Sequence, residues 1–391
     1  MFSEMKRLIV GKPLSNEQLS HERLPKRTAL AVFSSDALSS VAYATEAILI
    51  ALLYANRSAL GYVTPIGIGI TVLLFTVAFS YRQTIMAYPQ GGGTYVVSRE
   101  NLGKIPSLIA ASSLLIDYIL TVAVSMSAAV AAITSAFHAI EPYRVELAVI
   151  LIVLLTLTNL RGLKESGNMF AIPTYTFVFS MLAMIGVGFY NMATGNVVPA
   201  PPPPIIHVEH GQAVGIFLLM RAFAAGCTAL TGIEAISDGV PAFKKPEPRN
   251  ASITLLIMIV LLSFMFMGTT ILSNAYQILP DGAMEPETAN SQLARAVFGS
   301  GSVLYYVLQA ATMLILVLAS NTAYADFPRL SYFLAIDRFL PRQFAQRGDR
   351  LVFSNGVIFL GVVAALLVIL FDAREQALLP LYAVGVFISF T

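Results

Sequence analysis

The chain has 391 residues, 57% of them hydrophobic and 12% charged, and it contains no tryptophan. A soluble domain carries roughly twice that share of charge, so the composition excludes an ordinary water-soluble enzyme and describes a polytopic membrane protein. Twenty-four Lys and Arg against 22 Asp and Glu give a net charge of +2, no basic field for nucleic acid, and the single cysteine, Cys227, excludes an internal disulfide framework and a cysteine-cluster metal site.

Residues 1–27 are polar and charged, lack the apolar core of a signal peptide, and are read as a cytoplasmic N-terminal segment. Ten apolar runs follow, at 28–54, 63–88, 106–138, 147–160, 168–191, 213–240, 251–275, 297–325, 352–371 and 377–391. Their continuity predicts helices rather than the alternating strands of a barrel. With the N-terminus inside, nineteen Lys and Arg fall in cytoplasmic segments, while Arg57, Arg144, Arg295 and Arg374 fall outside and Arg221 falls within the sixth run. That asymmetry supports ten spans in alternation and a multi-pass plasma-membrane protein with a cytoplasmic N-terminus. The tenth run is only about fifteen residues and stays apolar to Thr391, which predicts a chain cut inside or just after that helix.

The loops say less. Pro201–Pro204 form a stiff polyproline spacer. His207, Glu209 and His210 after it are read as exposed loop rather than a metal site. Gly91-Gly92-Gly93 has neither the preceding strand nor the following Gly-Lys of a phosphate loop, and predicts a tight turn into a short interfacial helix with Arg99 and Lys104 facing the cytoplasm.

Carboxylates inside a span cost roughly 2.5–3.5 kcal/mol each on insertion scales and usually face a cavity. Asp36, Glu46, Asp117 and Glu234 lie inside runs, and Asp238 lies near a cytoplasmic end. The first run contains Ser34-Ser35-Asp36-Ala37-Leu38-Ser39-Ser40, a poor helix interior that predicts unwinding, with Tyr43 on the Asp36 face seven residues on. The other reading is a small-residue packing face. The sixth run has a second weak point, Gly226-Cys227-Thr228-Ala229-Leu230-Thr231-Gly232, just before Glu234. Breaks in corresponding positions of two halves point to an inverted-repeat transporter, which divides the chain into a first five-helix repeat at 28–193, an outer Pro-rich loop at 194–212 and a second repeat at 213–391. In the third run Asp117, Thr121 and Ser125 form a stripe, with Tyr118 beside it. Ser320–Tyr324 close the eighth run as a gate or a packing interface. Tyr382 is an interface anchor or a partner for a cation, Glu46 an entrance-path residue, and Cys227 a small buried hydrophobe.

These groups are oxygen donors, suited to a hard monovalent cation and not to a transition metal. Carboxylates in excess of one ion's charge suit proton transfer. The residues therefore predict a proton-coupled cation importer with no cofactor, and not an enzyme.

The segments Ser34–Tyr43, Asp117-Tyr118-Ile119-Leu120-Thr121 and Ala229-Leu230-Thr231-Gly232-Ile233-Glu234-Ala235 resemble the amino acid–polyamine–organocation superfamily, and within it the KimA-type potassium importers related to the KUP family. The third segment by itself is shared with amino acid permeases. The resemblance implies an all-α LeuT-like five-plus-five inverted repeat with discontinuous helices one and six, and potassium–proton symport. It also implies a homodimer and cyclic-di-AMP control through a C-terminal domain not visible in this chain. Carried over by position, the ion-binding candidates are Asp36, Tyr43, Asp117, Tyr118, Thr121, Ser125, Thr231, Glu234 and Tyr382, with Asp36, Asp117 and Glu234 as proton-coupling candidates. The competing reading is a proton-coupled amino acid permease, against which Asp36 counts.

Overall fold

The structure, a computed structural model, describes residues 24–53, 57–91, 93–161, 167–199, 214–280, 287–346 and 353–390. Pro201–Pro204, His207, Glu209 and His210 lie outside them, as does most of the N-terminal segment. The regular elements among the described residues are helices and one isolated parallel bridge, Leu24 to Phe243. The α-helices in chain order are α1 (Lys26–Phe33), α2 (Ser35–Ser39), α3 (Ala44–Leu53), α4 (Val63–Ala87), α5 (Gly93–Asn101), α6 (Lys104–Ala136), α7 (Arg144–Leu160), α8 (Gly167–Ala193), α9 (Ile216–Gly226), α10 (Glu234–Asp238), α11 (Glu247–Ala275), α12 (Ala289–Phe298), α13 (Val303–Ile336), α14 (Ser354–Leu370) and α15 (Glu375–Phe390).

Among the described residues, eight helical segments are long and apolar enough to cross a membrane, counting α2–α3 and α9–α10 as one segment each. Helix α14 is apolar but shorter, at 17 residues, and α15 has 16. Peripheral helices carry large apolar side chains on their outer faces, such as Ile68, Val72, Phe75 and Phe79 on α4 and Ile150, Val153 and Leu154 on α7. Their spacings of three and four keep each set on one side of its helix, an arrangement stable only against an apolar solvent such as lipid. The Ser35–Leu53 segment has the opposite character and lies in the interior.

Between helices in lipid, close contact replaces the hydrophobic effect as the source of cohesion. A methyl at Gly268 of α11 would stand 2.9 Å from the Ile185 side chain of α8, and one at Gly356 of α14 would stand 3.1 Å from Pro328 of α13. The apolar interior forms two clusters. One joins α3, α4, α8, α9 and α11 through residues such as Ile48, Ile70, Met181 and Phe266; the other joins α6, α7, α13, α14 and α15 through Val124, Ile152, Leu316, Leu360 and Tyr382. The first span contributes to both, Leu38 to the first cluster and Tyr43 to the second, so the seam between them runs along it.

One predicted boundary needs correction. The run at 297–325 is two elements, because Gly299 (φ 88°) and Gly301 (φ 81°) turn the chain between α12 and α13. Helix α13 then continues to Ile336, since its last turns are amphipathic rather than apolar. Ser320–Tyr324 therefore stand mid-helix, where the Tyr324 hydroxyl meets Thr156 Oγ1 of α7 at 2.7 Å.

Candidate ion-binding site

The serines of the first span bend it as their chemistry requires. The Ser34 hydroxyl donates to Leu30 O, Ser39 to Asp36 O at 2.7 Å and Ser40 to Ala37 O at 2.6 Å. These side-chain bonds to carbonyls three and four residues back compete with the α-helical ladder. The helix stops at Ser34, resumes as α2, tightens to a 3₁₀ turn over Ser40–Ala42 and restarts as α3. The helical periodicity that put Tyr43 on the face of Asp36 is thus interrupted. Tyr43 is nonetheless buried within electrostatic reach of Asp36. Carbonyls freed by the break are satisfied from a distance: Asn290 of α12 donates to Val41 O at 3.0 Å and to Ala42 O at 3.2 Å.

The sixth span breaks in step. Helix α9 ends at Gly226, Cys227–Leu230 form a 3₁₀ turn, and Gly232 adopts φ 75° before α10 begins at Glu234. The left-handed backbone and the tight approach both select glycine there. A methyl on Gly232 would stand 2.7 Å from Ala37 N and 2.8 Å from Asp36 Cβ. The two breaks are therefore in contact, and Ser40 donates across them to Ala229 O at 3.4 Å.

Asp36 lies at this contact, 5% exposed, with Oδ2 accepting from the Thr322 hydroxyl of α13 at 3.2 Å. Asp117 of α6 is 3% exposed and faces the backbone of Gly385 on α15. Asp117 lies within electrostatic reach of Asp36, and Glu234 within reach of both. No ion pair to any of the three occurs among the described residues. Arg221, the base within the sixth run, is exposed on α9.

Five of the nine candidate residues carry a buried oxygen without a hydrogen-bond partner among the described residues: Asp36 Oδ1, Tyr43 OH, Asp117 Oδ1, Ser125 Oγ and Glu234 Oε2. The Tyr43 hydroxyl faces Thr231 and Tyr382 without reaching hydrogen-bond geometry with either. Leaving such a group unsatisfied costs about 1–3 kcal/mol, and six further described residues carry one: Glu141, Asp238, Ser263, Tyr276, Ser331 and Glu375. Thr121 donates to the Tyr382 hydroxyl at 3.1 Å, and Thr231 donates to Thr228 O at 3.0 Å. Tyr382 is 1% exposed, which removes the interface-anchor reading. Tyr118 is buried within electrostatic reach of Asp326, Asp238, Glu234 and Asp117. No group of three His, Cys, Asp or Glu side chains among the described residues closes around one point as a metal cage does.

Sequence reasoning missed Thr322 and Asn290. Both stand in ordinary polar patches, and only their tertiary partners distinguish them. It also understated Glu46. That carboxylate accepts from Ala289 N at 2.8 Å and from Gln376 Nε2 at 3.0 Å, binding α3 to α12 and α15. Arg99 is half exposed. It pairs with Asp337, which also accepts from the Tyr95 hydroxyl at 2.6 Å. Burial and that carboxylate push the Tyr95 phenol up to about 12, so it stays protonated and keeps donating.

The family profile described as amino acid permease matches residues 27–391. The chain belongs to the amino acid permease family. It is 50% identical, over its whole length, to the potassium transporter KimA of Bacillus subtilis, and spans 64% of that protein. It is 30% identical over 201 residues to the "Probable potassium transport system protein Kup" of Pseudomonas paraeruginosa, covering 49% of this chain and 31% of that one. It is 25% identical over 386 residues to "Cationic amino acid transporter 3, mitochondrial" of Arabidopsis thaliana, covering 87% of this chain and 60% of that one. Membership in a permease family accords with the outward-facing apolar side chains of the peripheral helices, and both describe a membrane protein.

Proposed function

We propose that the chain forms the ion pathway of a proton-coupled potassium importer, built as a LeuT-like pair of inverted five-helix repeats with ten spans and a cytoplasmic N-terminus. The observation that carries this reading is the set of partnerless buried oxygens on Asp36, Tyr43, Asp117, Ser125 and Glu234. A potassium ion exchanges its water for several such oxygens. Because the carboxylates do not close into one cage, the ion passes from one to the next, each completed by neighbouring hydroxyls. Three carboxylates exceed the charge of one monovalent ion, and the excess carries the proton. Likeness to a potassium transporter over the whole chain supports the choice of ion. Dimerisation and cyclic-di-AMP control belong to the same proposal for the full-length protein.

The permease reading draws on the Arabidopsis relative. An amino acid carboxylate would have to bind at the exposed amides of the breaks, where Asp36 repels it. The deciding experiment is growth of a cell lacking its own potassium importers, in low potassium, with the full-length protein supplied. The parent supports growth and Asp117→Asn and Glu234→Gln do not. Proteoliposomes that accumulate amino acid but no rubidium would overturn the proposal. Collapsing the proton gradient lowers rubidium uptake; uptake indifferent to an uncoupler removes the symport.

A further inference from the structure

The parallel bridge between Leu24 and Phe243 joins two segments far apart in sequence, and with them a concentration of positive charge. Leu24 N donates to Ala242 O at 2.8 Å, Lys244 N donates to Leu24 O at 3.1 Å, and Phe243 stacks on Phe33 of α1 with ring centroids 5.4 Å apart. The Asn250 side chain of α11 donates to Lys244 O at 2.7 Å, which folds the loop onto the first turn of that helix. Lys26 and Arg27 of α1, Lys244 and Lys245 of the loop, and Arg249 of α11 are thereby gathered at one end of the bundle. All five are exposed, and none makes an ion pair among the described residues. The only acid within 24–27 and 240–250 is Glu247.

Apolar surface continues from this charge on both sides. Arg249, Leu256, Val260 and Phe264 recur along α11 at helical spacing, so they share one side of it, and the last three are exposed. Beyond α1, the Tyr175 hydroxyl of α8 donates to Arg27 O at 2.9 Å, and Ile172 and Phe179, one turn to either side of Tyr175, are exposed.

We propose that Lys26, Arg27, Lys244, Lys245 and Arg249 hold the headgroup of an anionic phospholipid whose acyl chains lie along the outer faces of α8 and α11. A bias of Lys and Arg toward one side of a membrane asks only for a count. Here the bases are set side by side by hydrogen bonds between distant segments, and apolar stripes run on from them. A soluble anion or an acidic protein segment matches the bases and leaves the stripes unused; a phospholipid matches both. The headgroup also spans both discontinuous helices, since α1 opens the first span and the loop carrying Lys244 leaves the sixth. With a cytoplasmic N-terminus the lipid belongs to the inner leaflet. None of this depends on which ion is carried.

The test is native mass spectrometry of the full-length protein in detergent, titrated with phosphatidylglycerol and separately with phosphatidylcholine. Phosphatidylglycerol should bind about tenfold or more tightly, and the preference should disappear when Lys244→Gln, Lys245→Gln and Arg249→Gln are combined. Arg338→Gln with Arg342→Gln, which removes exposed bases beyond α13, should keep it. Melting checks that each variant folds; if the triple variant does not, Lys26→Gln with Arg27→Gln takes its place with the same expectation. Equal binding of the two lipids by the parent overturns the site, as it would if another part of the protein covered the bases. So does an equal loss in the Arg338 and Arg342 variant, which would make the attraction one of overall charge. Inorganic phosphate in excess should leave the phosphatidylglycerol in place; its displacement would mean a soluble-anion site instead.

Discussion

Asp36 is held between two neighbours that do different things to it. Thr322 supplies a hydrogen bond to one oxygen, and Gly232 supplies the absence of a side chain beneath its Cβ. Thr322→Val keeps the shape and removes the donor. Losing one such bond to a charged acceptor is worth about 1.5–3 kcal/mol, so half-saturating rubidium in an uptake assay should rise at least about tenfold, with Thr322→Ser restoring it. A rise of less than twofold would mean that the hydroxyl is incidental. Gly232→Ala is a harsher change. A left-handed backbone costs an ordinary residue roughly 1–2 kcal/mol, and the new methyl meets Ala37 N and Asp36. Uptake should be lost, and melting in detergent should fall by several degrees.

At the scale of the helix, the short elements do the positioning. Helices α2 and α10 have five residues each and could not stand alone; their neighbours hold them. Helix α12 is the external support of the first break, through Asn290 to Val41 O and Ala42 O. Asn290→Leu should leave those carbonyls unmatched and speed amide exchange in residues 40–45, measured by mass spectrometry, while exchange in the middle of α6 stays as in the parent. On the other side α5 is tied to the end of α13 through Tyr95, Arg99 and Asp337. Arg99 is half exposed, so this tie adds at most about 1 kcal/mol of stability and serves to place the helix. Asp337→Ala should raise exchange across residues 93–101 with little change in melting temperature.

At the scale of the molecule, the two apolar clusters meet along the first span, which gives Leu38 to one and Tyr43 to the other. Orientation is directly testable because Cys227 is the only cysteine and is buried. In a Cys227→Ser background, Arg374→Cys should react with a membrane-impermeant maleimide in intact cells, and Lys244→Cys only after permeabilisation. The reverse pattern would invert the assigned topology.

Much of this organisation was legible in one dimension. Long apolar runs mark helices because backbone polar groups in lipid must be satisfied within the segment. Serines around Asp36, and glycines and threonines before Glu234, mark the breaks because their hydrogen bonding and backbone freedom are local properties. Carboxylates stand out because burying them is costly anywhere in a membrane. What tertiary structure decided was the company each residue keeps. Nothing in Ser320–Tyr324 distinguishes Thr322 from its neighbours until α13 is laid against α2. Tyr43 reaches the Asp36 seam through an interrupted helix, which periodicity does not describe. Glu46 reads as an isolated intramembrane acid until α12 and α15 bring it an amide and a carboxamide. By itself, then, the sequence determined which residues are expensive to bury and where the helices fail. The packing determined which of those residues meet, because such contacts depend on the approach of segments hundreds of residues apart, as with Thr121 and Tyr382 at |i−j| = 261.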